Sequence, residues 1–576
     1  LTDCKDGHLL FEYTIPRIGN RIDNVLLYNG IVFLLEFKVG ESTYANYAIE
    51  QVTDYALDLS CFHKESNNKL LVPILICTRA PEKHQTIKLM KDNILEPYCC
   101  NEFNIGKYIL EVCSLYQREH FSPHSWINSL YMPTPTIIEA AQALYMGHNV
   151  EDISRNDASA KNLNQTKKAI NDIIDHSKAD NKKSICFITG VPGAGKTLAG
   201  LNIAIERQKV DENEHAVFLS GNGPLVDVLQ EALARDDVQR NSTRKNEAMR
   251  KAKEFIQIIH HFRDDAISVD TPPIERVAIF DEAQRAWDQP NLTDFMKRKK
   301  GVLDFNMSEP EFLISILNRH SGWATIVCLI GGGQEINKGE SAGISGWFES
   351  LRNKYPDWDV YISNKITDEE YSKGNTFDEL AEGINYKIVE DLHLSVSLRS
   401  FRSENVAAFV KAVLDVDKDK AKELYTHFNK DYPICITRDL EAAKKWVREK
   451  ANGSQRYGMT ASSGAKRLRK YGVWVQNKVD APNWFLNGKD DVRSSYFLEE
   501  TATEFDIQGL ELDWTIVCWD ANLRFYNNHF GFYNFNGTKW QNINKEDNIL
   551  YLKNAYRVLL TRARQGFVIF VPTGDE

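Results

Sequence analysis

The sequence lacks the features that would place the chain in a membrane, in an oxidising compartment or among disordered proteins. Its best apolar run, at 324–330, is far shorter than the roughly 18 residues that a membrane span needs. No basic segment followed by an apolar one opens the chain, so a secretory signal is not indicated. The ten cysteines include no CxxC pair, which suits reduced thiols and argues against a zinc ribbon or a disulfide scaffold. We therefore expect a cytoplasmic protein that does not bind membranes.

Length and charge narrow the class further. With 576 residues the chain has room for three or four domains, and 43% hydrophobic with 26% charged residues is typical of a soluble globular protein. The net charge of −10 is unsuited to bulk binding of a polyanion, so any contact with nucleic acid must use local basic surface. The chain starts at Leu1 and not at Met, so we expect further residues upstream.

Strand-like runs alternate with helical patterns along the chain, which predicts the α/β class. In the N-terminal part a helix is predicted at 47–61, and strands are predicted at 24–28, 31–37 and 70–77. A Met-Pro-Thr-Pro-Thr cluster at 132–136 indicates a domain boundary. Beyond residue 184, short apolar runs between helices predict a parallel sheet with strands at 185–189, 216–220, 277–280 and 325–330. Further runs predict a second α/β domain with strands at 473–475, 514–518 and 566–571.

A glycine-rich loop follows the first of these buried strands. The chain reads GVPGAGKT at 190–197 and then continues as a helix, which is the complete Walker A spacing in a strand–loop–helix context. Gly190, Gly193 and Gly195 allow backbone N–H groups to face phosphates. Lys196 would reach the β- and γ-phosphate oxygens, and Thr197 would hold Mg²⁺. The loop therefore predicts binding of ATP with Mg²⁺.

A second apolar strand ends in two carboxylates about 85 residues later, in the sequence VAIFDEAQ. Asp281 would anchor Mg²⁺ through water, and Glu282 would polarise the attacking water. An acidic strand end is common by itself, but one that follows a Walker A loop and reads DEAQ is specific. The two segments together predict ATP hydrolysis.

Four more segments complete a resemblance to superfamily 1 helicases, in which DEAQ is similar to motif II. IGGGQEI at 330–336 resembles motif III, and the resemblance implies that Gln334 senses the γ-phosphate. LSVSLRS at 394–400 resembles motif IV, with Arg399 as a γ-phosphate contact and Arg402 as the competing candidate. Residues 503–513 resemble motif V and 557–564 resemble motif VI. Arg562 would then be an arginine finger across the cleft between two RecA-like domains.

FDEAQRAW, SLRSF, ATEFDIQGLELD and RVLLTRARQG together resemble the helicase-like domain that Schlafen proteins share with a family of bacterial proteins of unknown function. This resemblance covers roughly residues 180–576. Gln165 lies where superfamily 1 enzymes carry an adenine-reading glutamine, but its spacing differs from the common pattern, so its role as a base reader stays open.

An independent group of polar residues occurs near the N-terminus. Glu36 and Lys38 are two residues apart on a predicted strand and so share a face, and Asp23 starts the preceding strand of the same hairpin. Asp23 and Glu36 would bind Mg²⁺ through oxygen, and Lys38 would orient water or stabilise the pentavalent charge. The alternative is the solvated face of a hairpin, because ExK is frequent by chance.

This arrangement resembles the PD-(D/E)XK nuclease core. Gln51-x3-Tyr55 on the next helix is similar to the addition in RecB-type members of that family. Members usually carry a helix with another acidic residue before the first strand. Either such a helix precedes Leu1, or Glu12 takes its place as a further metal ligand.

The sequence thus predicts a helicase–nuclease fusion with ATP and Mg²⁺ as cofactors. We expect a nuclease-like domain at 1–130, a helical bridge at 131–165, a RecA-like domain at 166–390 with a helical insertion at about 225–270, and a second RecA-like domain at 391–576. Basic clusters at 244–253, 297–300 and 466–470 are candidate phosphate contacts, with DNA favoured over RNA. A role in bacterial DNA processing or defence, a protein partner and a homo-oligomer are open expectations. The alternative is an ATP-gated nuclease or an NTPase switch without unwinding.

Overall fold

The computed structural model describes residues 7–14, 21–66, 69–90, 93–116, 118–127, 129, 136–145, 157–190, 194–210, 214–331, 343–366, 379, 381–395, 401–429, 432–451 and 455–573. The chain divides into two compact units. The first comprises Leu1–Thr134 with Ala451–Gln455, and the second comprises Pro135–Lys450 with Arg456–Glu576.

The first unit is built on a mixed five-stranded sheet in the order β1-β2-β3-β4-β5. Its strands are β1 (His8–Thr14), β2 (Arg21–Tyr28), β3 (Ile31–Lys38), β4 (Leu70–Cys77) and β5 (Tyr98–Cys100). β1, β2 and β3 pair antiparallel, whereas β3, β4 and β5 pair parallel. β4 is buried at every position, as expected for a strand covered on both faces.

Helices cover the two faces of this sheet. Alternate residues of β3 point to opposite faces, so Val32 and Leu34 belong to one core with α1 (Asn46–Phe62), and Phe33 and Leu35 belong to the other with α2 (Ile105–Leu115). The short helix α3 (Pro123–Ile127) completes the described part of the unit. The face that packs on α1 is also the face of Glu36 and Lys38.

The second unit contains a large parallel sheet in the order β12-β11-β6-β10-β9-β7-β8, with β13 pairing on β6. Its strands are β6 (Lys183–Gly190), β7 (Ala216–Ser220), β8 (Ile256–Ile258), β9 (Val277–Asp281), β10 (Ala324–Ile330), β11 (Asp359–Ile362), β12 (Tyr386–Ile388) and β13 (His393–Leu394). Connections from β6 run first to one side of it and later, through β11, to the other. Ligands of open parallel sheets bind at the carboxyl ends of strands at such a reversal.

A second parallel sheet of the same unit has the order β14-β21-β17-β15-β16. Its strands are β14 (Ile434–Thr437), β15 (Tyr457–Ala461), β16 (Thr501–Thr503), β17 (Leu512–Cys518) and β21 (Ala563–Phe570). A separate antiparallel ribbon consists of β18 (Leu523–Tyr526), β19 (His529–Asn536) and β20 (Lys539–Asn542).

Helices connect and cover the strands of this unit. They are α4 (Ile137–Tyr145), α5 (Asp157–Ala179), α6 (Lys196–Val210), α7 (Gly223–Asn241), α8 (Lys245–Phe255), α9 (Ile259–Ser268), α10 (Gln289–Phe295), α11 (Glu309–Asn318), α12 (Gly343–Lys354), α13 (Phe401–Leu414), α14 (Lys418–Phe428), α15 (Leu440–Lys450), α16 (Ala481–Leu486), α17 (Glu504–Ile507) and α18 (Glu546–Leu560). No helix among these described residues is both long and apolar enough to span a membrane.

The prediction of an α/β protein with parallel sheets is confirmed, and most predicted strands lie within two residues of the observed ones. The strand predicted at 473–475 is wrong. Val473 and Val475 are buried and Trp474 between them is exposed, which imitates a strand, but no neighbouring strand pairs with this segment. The parallel sheet around β6 also continues through β13 to Leu394, a few residues past the expected domain end at 390.

Candidate functional site

The phosphate-binding loop joins the end of β6 to the start of α6. Gly190 ends the strand where an added Cβ would lie 2.8 Å from the Cβ of Leu394, so only glycine fits there. Gly195 has a φ of +83°, a left-handed conformation that glycine adopts without steric cost. Lys196 Nζ donates to the carbonyl oxygen of Gly190 over 2.7 Å, which holds the ammonium group at the mouth of the loop. Gly193 lies outside the described residues.

Thr197 and Asp281 meet at the carboxyl ends of β6 and β9. Thr197 Oγ1 lies 3.2 Å from each carboxylate oxygen of Asp281. Burial, and then the charge of Glu282, raise the pKa of Asp281 to about 7. A hydroxyl beside a carboxylate is an oxygen donor set of the kind that Mg²⁺ accepts. These two residues fit a bound Mg²⁺, whose charge would favour the ionised form of Asp281.

The carboxylate of Glu282 is fixed by the residue two positions later. Glu282 adopts a φ of +53°, which is unusual for a residue with a Cβ. Gln284 Nε2 donates to Glu282 Oε2, and Gln284 Oε1 accepts from the backbone N–H of Gly331 over 2.9 Å. The indole N–H of Trp347 donates to the carbonyl of Ala283 over 2.9 Å and so holds the same turn. The end of β10 is thereby tied to the segment that carries Glu282.

The second parallel sheet contributes to the same site through the segment after α17. Asn222 Nδ2 donates to the carbonyl of Gln508. Gly509 has a φ of +78°, and an added Cβ would lie 3.1 Å from Leu225 Cδ2. A pocket connects these groups, and its lining includes Thr197, Asp281, Glu282, Asn222, Gln508 and Gly509. The carboxylate of Glu282 and the segment resembling motif V therefore border one cavity.

Arg562 precedes β21 and is buried at 4% exposure. Its backbone carbonyl accepts from Leu512 N over 3.1 Å, which joins the segment resembling motif VI to β17. Gln334 and Arg399 lie outside the described residues, as does the side chain of Arg402. The roles predicted for these arginines and for Gln334 stay predictions.

Gln165 lies on α5 with an exposed side chain. Two neighbours on the same helix bind the segment before the one resembling motif IV. Asn162 Nδ2 donates to the carbonyl of His393 over 3.2 Å, and Thr166 Oγ1 donates to the carbonyl of Asp391 over 2.6 Å. This helix is thus tied to the edge of the phosphate-binding sheet.

In the first unit, Lys38 lies at the centre of a chain of hydrogen bonds. Its Nζ donates to Glu36 Oε1 over 2.8 Å and to Gln51 Oε1 over 3.2 Å. Gln51 Nε2 in turn donates to the hydroxyl of Tyr55 over 2.6 Å. Strand β3 supplies the first two residues, and one face of α1 supplies the other two, because positions four apart on a helix are neighbours.

Glu36 faces Asp23 across the β2–β3 pair. Asn24 pairs with Leu35, so the preceding residue of β2 meets the following residue of β3, and Asp23 Oδ2 accepts from the backbone N–H of Phe37 over 2.8 Å. Glu36 Oε2 is buried without a hydrogen-bond partner. A buried carboxylate oxygen in that state beside a second carboxylate fits a hard divalent cation such as Mg²⁺.

The charges of this group shift two pKa values. Burial raises the pKa of Glu36, and the charge of Asp23 adds to the rise, although the hydrogen bond from Lys38 opposes it. Burial acts to lower the pKa of Lys38, but the hydrogen bond and charge of Glu36 outweigh it, so the pKa of Lys38 is raised. Lys38 is therefore an ammonium group at neutral pH.

Glu12 is not brought into this group. Its Oε2 lies 2.5 Å from Arg21 Nε in an ion pair in which both side chains are more than half exposed. Within the described part of the chain, no three His, Cys, Asp or Glu side chains gather closely enough to hold a metal ion. The structure thus joins two of the three predicted carboxylates.

A family model described as Schlafen group 3, DNA/RNA helicase domain, matches residues 183–573, more than half of the chain. The chain belongs to this family. The match contains the loop at 190–197, the carboxylates of Asp281 and Glu282, and Arg562. A Schlafen group 3 helicase domain is helicase-like and uses ATP, typically with Mg²⁺. The predicted family is confirmed for this part of the chain.

Three solved structures are similar to this Schlafen group 3 chain only distantly. The DUF1998 helicase MrfA bound to DNA has 10% identity and a TM-score of 0.30 over 77% of this chain and 52% of its own, so this chain spans about half of MrfA. A SWI2/SNF2 ATPase core of Sulfolobus solfataricus in complex with dsDNA has 12% identity and a TM-score of 0.23, over 72% of this chain and 87% of its own. The Hef helicase domain of Pyrococcus furiosus has 13% identity and a TM-score of 0.23, over 69% of this chain and 95% of its own. A comparison with curated protein sequences found no match.

Two residues of the helicase site were missed by reasoning from the sequence. Asn222 follows β7 in the stretch Ser-Gly-Asn, and its place at the carboxyl end of a parallel strand was the available indication. Gln284 was visible as the last letter of DEAQ, but its contact with Gly331 depends on β9 and β10 being neighbours in the sheet.

Proposed function

We propose that this Schlafen group 3 helicase couples ATP hydrolysis to movement along or opening of nucleic acid, and that its N-terminal unit is a Mg²⁺-dependent nuclease of the PD-(D/E)XK class. DNA is the favoured substrate. The setting that suits such a fusion is bacterial DNA processing or defence against foreign nucleic acid.

The ATPase half of the proposal is supported by the geometry around Glu282. When bound, Mg²⁺ would draw charge from the phosphates of ATP. Lys196 would bind phosphate oxygens, and Thr197 with Asp281 would hold the cation. Glu282, oriented by Gln284, would accept a hydrogen bond from the attacking water. The proposed pair of RecA-like domains is supported by the pocket that reaches from Thr197 to Gln508. The role of Arg562 as arginine finger rests on the resemblance of its segment to motif VI.

One observation carries the nuclease half. Lys38 Nζ is held between Glu36 Oε1 and Gln51 Oε1, at 2.8 and 3.2 Å, beside a buried Glu36 oxygen that has no partner. A surface hairpin would leave these groups solvated, whereas here they are packed against α1. Asp23 and Glu36 would hold Mg²⁺, and Lys38 would orient the attacking water or stabilise the charge on the phosphate.

The test is cleavage of a defined panel of labelled DNA and RNA substrates with Mg²⁺, with and without ATP. Lys38→Ala should abolish cleavage and leave ATP hydrolysis intact, and Lys196→Ala should abolish ATP hydrolysis. Arg21→Ala is the matched control. It also removes a cation from this sheet, but that cation is paired with Glu12 and not with Glu36.

Each half can fail separately. Cleavage that persists in Lys38→Ala would overturn the nuclease assignment. If the wild type hydrolyses ATP but displaces no strand of either polarity, opening of nucleic acid is excluded, and the alternative in which ATP is a switch that gates the nuclease or a partner is favoured.

A further inference from the structure

The antiparallel ribbon β18-β19-β20 has two chemically different faces. Pairing places Leu523 opposite Phe532 and Phe525 opposite Phe530, so these side chains share one face. Phe530 and Phe532 pack against the main core of the second unit. The other face is therefore directed away from that core.

The outward face carries four aromatic rings and one guanidinium group, and we call it the aromatic face: Arg524, Tyr526, Tyr533, Phe535 and Trp540. Arg524 stacks on two of the rings, with its Cζ 4.3 Å from the ring centre of Tyr533 and 4.5 Å from that of Trp540. Arg524 Nη2 has no hydrogen-bond partner. Tyr526 is 59% exposed at the end of β18.

A second segment extends this surface. We call the turn at 466–474 the basic turn; it follows β15 along the chain, and the ribbon follows β17. β15 and β17 are neighbours in the parallel sheet. Arg467 lies with its Cζ 5.6 Å from the ring centre of Trp540, which joins the turn to the ribbon. Trp474 is 47% exposed and is stacked by Arg469 at 4.1 Å. Both segments thus lie at the carboxyl ends of adjacent parallel strands.

The two segments are free of acidic residues in an acidic chain. No Asp or Glu occurs at 463–479 or at 521–545, although the chain contains 80 acidic residues and has a net charge of −10. The basic turn also carries Lys466 and Lys470, both exposed, whereas Lys539 precedes Trp540 on β20 and so lies on the other face of the ribbon. Positive charge interleaved with exposed rings is complementary to a single strand, whose phosphates need cations and whose bases stack on aromatic side chains.

We infer that the aromatic face and the basic turn form a binding site for single-stranded nucleic acid, with bases stacking on Tyr526 and Trp474 and phosphates contacting Lys466 and Lys470. The ribbon lies between the segments that resemble motifs V and VI, and the basic turn precedes the segment that resembles motif V, so the site lies outside the helicase motifs themselves. The inference rests on the proposed function, since it names where the moving strand is held.

Binding of fluorescein-labelled oligothymidylate and oligouridylate to the full chain, followed by fluorescence anisotropy, tests the site. Tyr526→Ala and Trp474→Ala should each raise the Kd about tenfold, because the stacking of one base on an aromatic ring is removed. Tyr526→Phe keeps the ring and should bind like the wild type. ATP hydrolysis without nucleic acid should not change in any of these variants.

The lysines are tested through salt dependence. Lys466→Ala combined with Lys470→Ala should weaken binding and flatten the slope of log K against log salt by about 0.7 for each phosphate that the variant no longer neutralises. Lys161→Ala combined with Lys422→Ala removes the same charge from two other exposed helical positions and should leave the slope unchanged.

The outcomes separate the inference from the proposed function. If the wild type binds and the Tyr526, Trp474 and lysine variants bind equally well, the site is wrong while the proposed function stands. If the wild type binds no oligonucleotide, both are overturned. If Tyr526→Ala lowers both binding and the melting temperature, and Trp474→Ala lowers neither, the salt slope of the lysine variant decides. An unchanged slope would reject the site.

Discussion

The backbone N–H of Gly331, just after β10, donates a hydrogen bond over 2.9 Å to Oε1 of Gln284, just after β9. Because Gln284 also donates to the carboxylate of Glu282, the position of β10 is transmitted to the group that would activate water. The segment after Gly331 resembles motif III. Movement there would change the orientation of Glu282 through a single side chain.

Gly331→Ala should lower kcat for ATP hydrolysis by about tenfold or more while the fold is retained. An added Cβ would lie 2.9 Å from Glu282 Oε2 and 3.2 Å from Gln284 Nε2, so the carboxylate must move. Steady-state ATP hydrolysis measures the effect. Gly106→Ala on α2 is the matched control, because an added Cβ there would have no neighbour within 4 Å and Gly106 does not line the pocket. Equal rates for the two variants would contradict this role of Gly331.

Thr197→Val should reduce ATP hydrolysis at least about tenfold and raise the Mg²⁺ concentration needed for half-maximal rate. Valine fills the same space but lacks the hydroxyl that lies 3.2 Å from both oxygens of Asp281. Thr197→Ser keeps the hydroxyl and should restore both values toward those of the wild type. A Mg²⁺ titration of the ATPase rate distinguishes them, and identical titrations would show that the hydroxyl holds no cation.

Gln51→Ala should lower Mg²⁺-dependent cleavage by about tenfold, since Lys38 would lose one of its two side-chain acceptors and could turn away from Glu36. Tyr55→Phe removes only the hydroxyl at the far end of the same chain of hydrogen bonds and should have a smaller effect. Single-turnover cleavage rates rank the two variants. A larger effect from Tyr55→Phe would mean that the hydroxyl itself, and not the position of Lys38, is required.

The stability of the first unit should fall as pH drops below 6.5. Burial lowers the pKa of His63 to about 4, so the unfolded chain takes up a proton that the folded chain resists. The folded pKa lies below the unfolded one, and stability present above pH 6.5 is therefore lost between pH 6.5 and 4. The expected loss is about 2 kcal/mol at pH 5 relative to pH 7.

Amide hydrogen exchange in β4 of the full chain, corrected for intrinsic rates, measures this loss. His63→Asn provides the control, because an amide can replace the contact of 2.7 Å between His63 Nδ1 and Ser66 Oγ without titrating. Protection in that variant should depend less on pH. An equal pH dependence in both proteins would assign the effect to other groups.

Much of the fold followed from short-range patterns. The β4 run, LLVPILIC, could be recognised because a strand buried on both faces must be apolar throughout, and its observed bounds match the predicted 70–77. Asn29-Gly30 similarly predicted the β2–β3 turn, since both residues adopt the positive φ that a tight hairpin turn needs. The segment at 473–475 shows the limit of such patterns, because its alternating burial arises from packing and not from pairing with another strand.

The sequence by itself determined the phosphate-binding loop, the carboxylates at the end of β9 and the shared face of Glu36 and Lys38, because each depends on a spacing of a few residues within one strand or turn. Only the tertiary structure decided that Gln284 joins Gly331 to Glu282, that Glu12 pairs with Arg21, and that the ribbon presents its rings outward. Those contacts depend on which strands are neighbours in a sheet. Strand order is set by packing over the whole unit, so it cannot be predicted from any single stretch of sequence.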